Sequence, residues 1–335
     1  MINNIERCIN GIKVCIDSKV ELIGILITLS DESSIEPFKR LFKFEDNNSE
    51  YINIIKKEFS YLYETGLIER FNIIKNKYYI HYQEPIKLML MLDDNFNTNI
   101  LKEYCGYKPD KDFYEIIDEI KELYKSDRYI NFYNSNISYY NDCIDSLIPF
   151  YTEYNLKNII CEYCGDKYNN LEFYNLLIPF ETNGGYGIIL DTKAYYCSRI
   201  NTNNLFFYPQ DKNDKVKITL HEFLHSIINP MIDKYIFFTK ESNYLEKTDN
   251  LKFMGYRSDN SIINETIVRA VTIRIYSLLV NNINTDELVE KEYNQGFIYI
   301  KEITEFLLEY ENNKIDFDSI FEKIINKYNN IELTN

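Results

Sequence analysis

The sequence predicts an α+β protein that is mostly α, and three observations carry the prediction. Apolar residues recur at helical spacing through most of the first half. Near Leu171 the texture changes to short apolar runs separated by tight-turn residues, which predicts a small antiparallel sheet. An apolar run, Val216 to Ile228, follows and carries His221-Glu222-Phe223-Leu224-His225, an H-E-x-x-H pattern at helical spacing. On these grounds the chain divides into a mostly helical region, 1–155, and a region 156–335 holding the sheet and the H-E-x-x-H helix. The two regions can equally form one continuous domain.

Composition sets the outer bounds. At 335 residues with 45% apolar content the chain is long enough for one large domain or two modest ones, each with a real core. A net charge of -15 argues against nucleic acid and against anionic lipid, because both are themselves polyanions. Seven irregularly spaced cysteines do not form a disulfide framework, so reduced thiols are expected. Met1 to Val20 lacks a basic segment followed by a long apolar one, and Val20 to Leu29 is too short to span a bilayer. The expectation is a soluble, cytoplasmic protein without a membrane partner.

Taken in order, Val20–Leu29 is nearly all apolar and suits a buried helix or a buried strand. Ile52, Ile55, Phe59, Leu62 and Tyr63 predict one helix over 49–65, with Gly66 as its stop. Ile73 to Tyr82, with Asn76-Lys77 at its middle, reads as a short hairpin, and Pro85 opens a helix through Met91. Phe113, Ile116, Ile117, Ile120 and Tyr124 mark another helix, and the Tyr-rich stretch 129–154 is mostly helical. His81 stands alone, and a lone histidine is usually a surface or satisfied residue. Cys161 and Cys164 have metal-knuckle or redox spacing, but no second pair follows and no thioredoxin-like strand precedes them.

Phe173–Phe180, the turn at Asn183-Gly184-Gly185, Tyr186–Leu190 and Ala194–Ile200 are the expected strands. An exposed edge there suits an extended peptide held by strand addition, or the sheet simply supports the next helix. Asp211, Asn213 and Asp214 offer N-caps for that helix, and Asn229-Pro230 ends or kinks it. The stretch 231–256 reads as loop-rich. Ser261 is the expected cap of a helix that is apolar almost all round from Ile262 to Val280. Two closing helices, 285–312 and 316–329, show no site signal, and Gly296 marks a bend or a close approach in the first.

Residues four apart on a helix share a face, so His221 and His225 can present two imidazoles to one tetrahedral zinc ion. Glu222 stands beside them as the residue that takes a proton from an attacking water. Glu265 begins a polar stripe, Glu265, Arg269, Thr272 and Tyr276, on an otherwise apolar helix. A buried carboxylate needs a partner or a cation. Glu265 is therefore either a third metal ligand or the partner of Arg269, and the two readings are compatible if Arg269 orients the carboxylate.

These residues resemble the gluzincin zinc metallopeptidases, in which the third ligand is a glutamate on a later helix. H-E-F-L-H at 221–225 and N-E-T-I-V-R-A at 264–270 are the matching strings, with Glu265 forty residues past His225. The longer H-E-F-L-H-S-I-I-N-P, N-E-T-I-V-R-A and opening E-L-I-G-I-L-I-T-L-S are similar to an uncharacterised bacterial family catalogued as a domain of unknown function. The resemblance implies a zincin-like catalytic half with the sheet packed on the H-E-x-x-H helix. It also implies Zn2+ on His221, His225 and Glu265, with Asn264 and Arg269 supporting the ligands, and hydrolysis of a peptide or protein substrate. Such enzymes usually add a Tyr or His that steadies the oxyanion, and Tyr256 is the candidate here. Met231 stands where a metzincin would place its third histidine, so that class does not fit. The rival readings are a zinc-binding interaction protein without catalysis and a zinc hydrolase of a non-peptide amide or ester.

Overall fold

A computed structural model describes residues 2–30, 50–80, 83–104, 106, 108–179, 185–201, 206–207, 211–233, 249–254, 256, 258–313 and 315–329. The chain is α+β and mostly α, as its periodicities predict. It forms two compact units. The first takes residues 1–153, 174–190 and 196–210, and the second takes 154–173, 191–195 and 211–335. No helix among the described residues is long and apolar enough to cross a membrane.

The first unit opens with a hairpin, β1 (Ile5–Ile9) and β2 (Ile12–Ile16), paired antiparallel from Ile5↔Ile16 to Ile9↔Ile12. Its two turn residues, Asn10 (φ 48) and Gly11 (φ 76), both take the left-handed conformation that a two-residue turn of this hand requires. Asp17 then caps α1 (Ser18–Leu29) by accepting from the backbone N–H of Lys19 and Val20. Helix α1 is buried on nearly every side, which is why its sequence shows no amphipathic period.

The helix expected over 49–65 is two, α2 (Glu50–Phe59) and α3 (Tyr61–Glu64), broken at Ser60. Gly66, at φ 73, both ends α3 and starts α4 (Leu67–Lys77). The expected hairpin at 73–82 is instead the end of α4. Leu67, Ile68, Phe71, Ile74 and Lys75 are buried at helical spacing, and that stripe overrides the local turn signal of Asn76-Lys77. His81 and Tyr82 lie outside the described residues. Helices α5 (Glu84–Met91, Pro85 in its first turn) and α6 (Lys111–Lys125, capped by Asp110) stand where the sequence places them. The Tyr-rich stretch becomes α7 (Asp127–Ser135), α8 (Ile137–Asp145) and α9 (Ile148–Glu153).

The strands expected after Leu171 are β3 (Glu172–Ile178), β4 (Gly185–Leu190) and β5 (Lys193–Asn201), joined by β6 (Phe206–Phe207). Phe180, Asn183 and Gly184 lie outside the described residues. The sheet order is β1-β2-β3-β5-β4, with β6 antiparallel on β5, so the opening hairpin extends the later strands into one six-stranded sheet. Within the first unit, buried Asn175 on β3 accepts from the Tyr151 hydroxyl at 3.0 Å, and its amide meets Ser198 Oγ at 2.6 Å.

The second unit is built from α10 (Leu156–Cys164), α11 (Lys212–Ile232), α12 (Asp249–Phe253), α13 (Asp259–Leu279), α14 (Thr285–Gln295), α15 (Ile300–Asn313) and α16 (Phe317–Asn329). Helix α13 is its axis and packs along α11 and α15. Arg274 on α13 donates from Nε to Glu311 on α15 at 2.8 Å, and the Tyr163 hydroxyl of α10 joins the same carboxylate at 2.9 Å. At the entry to this unit Phe173 packs edge-on to Phe223 of α11, with ring centroids 5.1 Å apart.

Here too the structure corrects details. Helix α11 runs through Pro230 and stops two residues later, because a helix near its end tolerates one missing N–H. The cap of α13 is Ser258 rather than Ser261: the two serines form a reciprocal capping box that starts the helix earlier. The helix expected over 285–312 is two, split at Gly296 (φ 117). The positive φ favours glycine, and a Cβ there would also press on Leu251 Cγ at 3.0 Å.

Candidate metal centre

Helix α11 starts at Asp211, whose side chain accepts from the N–H groups of Asn213 and Asp214, and its inward stripe is Val216, Leu220, Phe223, Leu224 and Ile227. Burying that stripe against α13 fixes the rotation of the helix. It leaves His221 and His225, one turn apart, on a partly buried flank. Helix α13 presents Glu265, 8% exposed, to the same point.

The three side chains converge. His221 Nε2 and His225 Nε2 are 3.2 Å apart. His221 Nε2 lies 3.4 Å from Glu265 Oε1, and His225 Nε2 lies 3.6 Å from Oε2. Ligands about 2.0–2.1 Å from a tetrahedral zinc stand roughly 3.3 Å from one another, and these separations come close to that, each imidazole facing a different oxygen of the one carboxylate. Among the described residues, these three are the one group of three or more His, Cys, Asp or Glu side chains close enough to hold a metal ion.

The carboxylate is supported from its far side. Arg269, one turn along α13, donates from Nε to Glu265 Oε1 at 2.7 Å, and from Nη1 to Glu292 Oε2 on α14 at 2.6 Å. Its guanidinium carbon sits 4.4 Å above the centre of the Phe297 ring. The turn at Gly296 delivers Phe297 to that place. Burial raises the pKa of Glu265, but His221, Arg269 and His225 outweigh it and hold the carboxyl well below the usual range.

Tyr256 meets the edge of Phe297 with centroids 5.8 Å apart, close to Glu265 and Arg269. Burial first, then the negative charge of Glu265, pushes its pKa up, so the phenol stays protonated and remains a donor. Glu222, on the same turn as the histidines, is 7% exposed. Asn264 is partly buried beside Glu265, and its Oδ1 has no hydrogen-bond partner among the described residues.

Two supporting residues lie outside the expected set. Asn229 Oδ1 stands 3.1 Å from His225 Nδ1, four residues on along the helix, and Glu292 completes the pairing of Arg269. The i, i+4 spacing of Asn229 was a usable signal. Nothing in the polar sequence around Glu292 distinguishes it from a solvated face, so the closing helices do contribute to the site after all. By contrast, Cys161 and Cys164 lie buried on α10. Burial raises both thiols, which leaves neither as a thiolate ligand or nucleophile.

A two-histidine, one-glutamate cluster held between two helices of a mostly helical α+β chain is thus the feature to be placed. The family described as Domain of unknown function (DUF4932) matches residues 12–326, and the chain belongs to that family. No curated protein and no solved structure matches it.

Proposed function

We propose that this protein is a zinc-dependent metallopeptidase of the gluzincin type. The observation that carries the reading is the approach of two imidazole nitrogens and one ionised, buried carboxylate to 3.2–3.6 Å of one another. Such a donor set suits zinc, which accepts nitrogen and carboxylate ligands in a compact tetrahedron. His221, His225 and Glu265 would hold the ion. Zinc supplies a Lewis acid and brings the pKa of a coordinated water toward neutrality.

The chain's own groups do the rest. Glu222 takes a proton from the attacking water and passes it to the amine nitrogen that leaves when the peptide bond breaks. Arg269 keeps Glu265 ionised by donating to its carboxylate. In this reading Tyr256, near Glu265, turns its protonated hydroxyl to the oxyanion of the substrate. The substrate is a peptide or protein segment.

The test is a peptide-library assay on metal-loaded protein, wild type beside Glu222→Gln. Wild type should cleave peptides, and the variant should keep its metal while turnover falls about 10²–10⁴-fold. Equal turnover in the two proteins would remove Glu222 from its role.

A further inference from the structure

His225 differs from His221 in one respect: its second ring nitrogen has a partner. His225 Nδ1 faces Asn229 Oδ1 at 3.1 Å. Among the described residues, no hydrogen bond reaches His221 Nδ1. A neutral imidazole carries a single N–H, and an amide oxygen can only accept, so an imidazole meeting Asn229 Oδ1 must carry its proton on Nδ1. Its Nε2 then holds a lone pair, pointed at the place where His221 Nε2 and Glu265 Oε2 also converge.

The local sequence favours this contact at some cost to the helix. Asparagine is a poor helix former, and a residue before proline is pushed away from helical backbone angles. Yet Asn229 is held in α11, with its carbonyl accepting from Asp233 N–H at 2.9 Å. Its side chain is partly buried and aimed back along the helix at the residue four positions before it.

We propose that Asn229 is a positioning residue that fixes His225 in the Nδ1–H tautomer and so presents its Nε2 lone pair to the metal centre. The purpose of this device rests on the zinc reading, but the tautomer does not, and the two are tested separately.

The tautomer is read on the metal-free full chain by long-range ¹H–¹⁵N NMR, well above the ordinary imidazole pKa of about 6.5. The chain has three histidines, so the ring signals are few, and His225→Ala assigns the relevant set. Wild type should show His225 protonated on Nδ1. Asn229→Ala, which puts a better helix former at the site, should shift His225 toward the Nε2–H form. Asn229→Asp, which keeps an acceptor oxygen, should retain Nδ1–H. Zinc affinity from chelator competition should fall about 10–100-fold in Asn229→Ala and be largely kept in Asn229→Asp.

An Nε2–H tautomer in wild type would overturn the inference without any variant. So would an unchanged tautomer in a folded Asn229→Ala. The expected tautomers in a protein that binds no zinc would uphold the role of Asn229 on His225 and remove the metallopeptidase reading instead.

Discussion

Each unit buries a glutamate on a central helix, and the two carboxyls meet opposite surroundings. Glu21 on α1 is 1% exposed; Tyr51 donates a hydrogen bond to it, and the Tyr51 and Tyr140 hydroxyls are 2.7 Å apart. No cationic side chain pairs with it among the described residues. Burial pushes its pKa up to about 7, and the Tyr51 hydrogen bond only partly offsets this. Glu265 is 8% exposed but faces two imidazoles and a guanidinium, and it stays ionised. Burial of a carboxylate is therefore not what marks the second unit. Convergence of cation-seeking and cationic groups on it is.

Mutation should separate the two glutamates most sharply at Glu265. Glu265→Ala removes one of three candidate ligands and one of the two carboxylates around partly buried Arg269. Zinc affinity should fall by more than about 100-fold, beyond the range for loss of a supporting partner. The metal-free protein should lose about 1–3 kcal/mol in urea unfolding, less than for a fully buried pair because Arg269 is partly exposed and keeps Glu292. A variant that matched wild type in both would place Glu265 with Glu21 as a merely tolerated acid.

Glu21→Gln should act in the other direction, and through pH. A carboxyl raised above its unfolded value contributes stability that is fully present below the unfolded pKa and lost as pH rises through the folded one. For Glu21 that window runs from 4.5 to about 7. The amide variant should therefore gain on wild type across this range, by up to roughly 3 kcal/mol for a shift of this size. Urea unfolding of both proteins at pH 5 and 8 checks it. A stability difference that does not change between those pH values contradicts the account of Glu21.

The smallest effect belongs to Glu292, which acts on Glu265 only through Arg269. Glu292→Ala should lower zinc affinity about 10–100-fold while leaving His221 and His225 in place. Chelator competition measures it, and an unchanged affinity would reduce the Arg269–Glu292 pair to packing.

Much of this was legible in sequence, for physical reasons that differ by element. The stripes of α6 and of α11 repeat at 3.6 residues, so their faces are fixed by the chain alone. Helix α1 has no stripe because it is buried all round, and there periodicity had nothing to report. The 73–82 region failed because a local Asn-Lys turn signal was set against a long-range one, the burial of Ile68, Phe71 and Ile74. The opening hairpin was missed although Asn10-Gly11 is a strong turn pair, since its strands are short and β1 is largely exposed. At the candidate site, the convergence of His221, His225 and Glu265 was readable from helix geometry and one carboxylate in an apolar helix. Glu292 and Phe297 were not, because their relation to Arg269 exists only after α14 folds back and Gly296 turns the chain.

The central claim is that three residues of the second unit form a zinc site, and metal content tests it most directly. Purified untagged protein should carry about one zinc per chain by elemental mass spectrometry, and a His221→Ala/His225→Ala protein should carry none. Absence of zinc from wild type, even after reconstitution at neutral pH, would contradict the account.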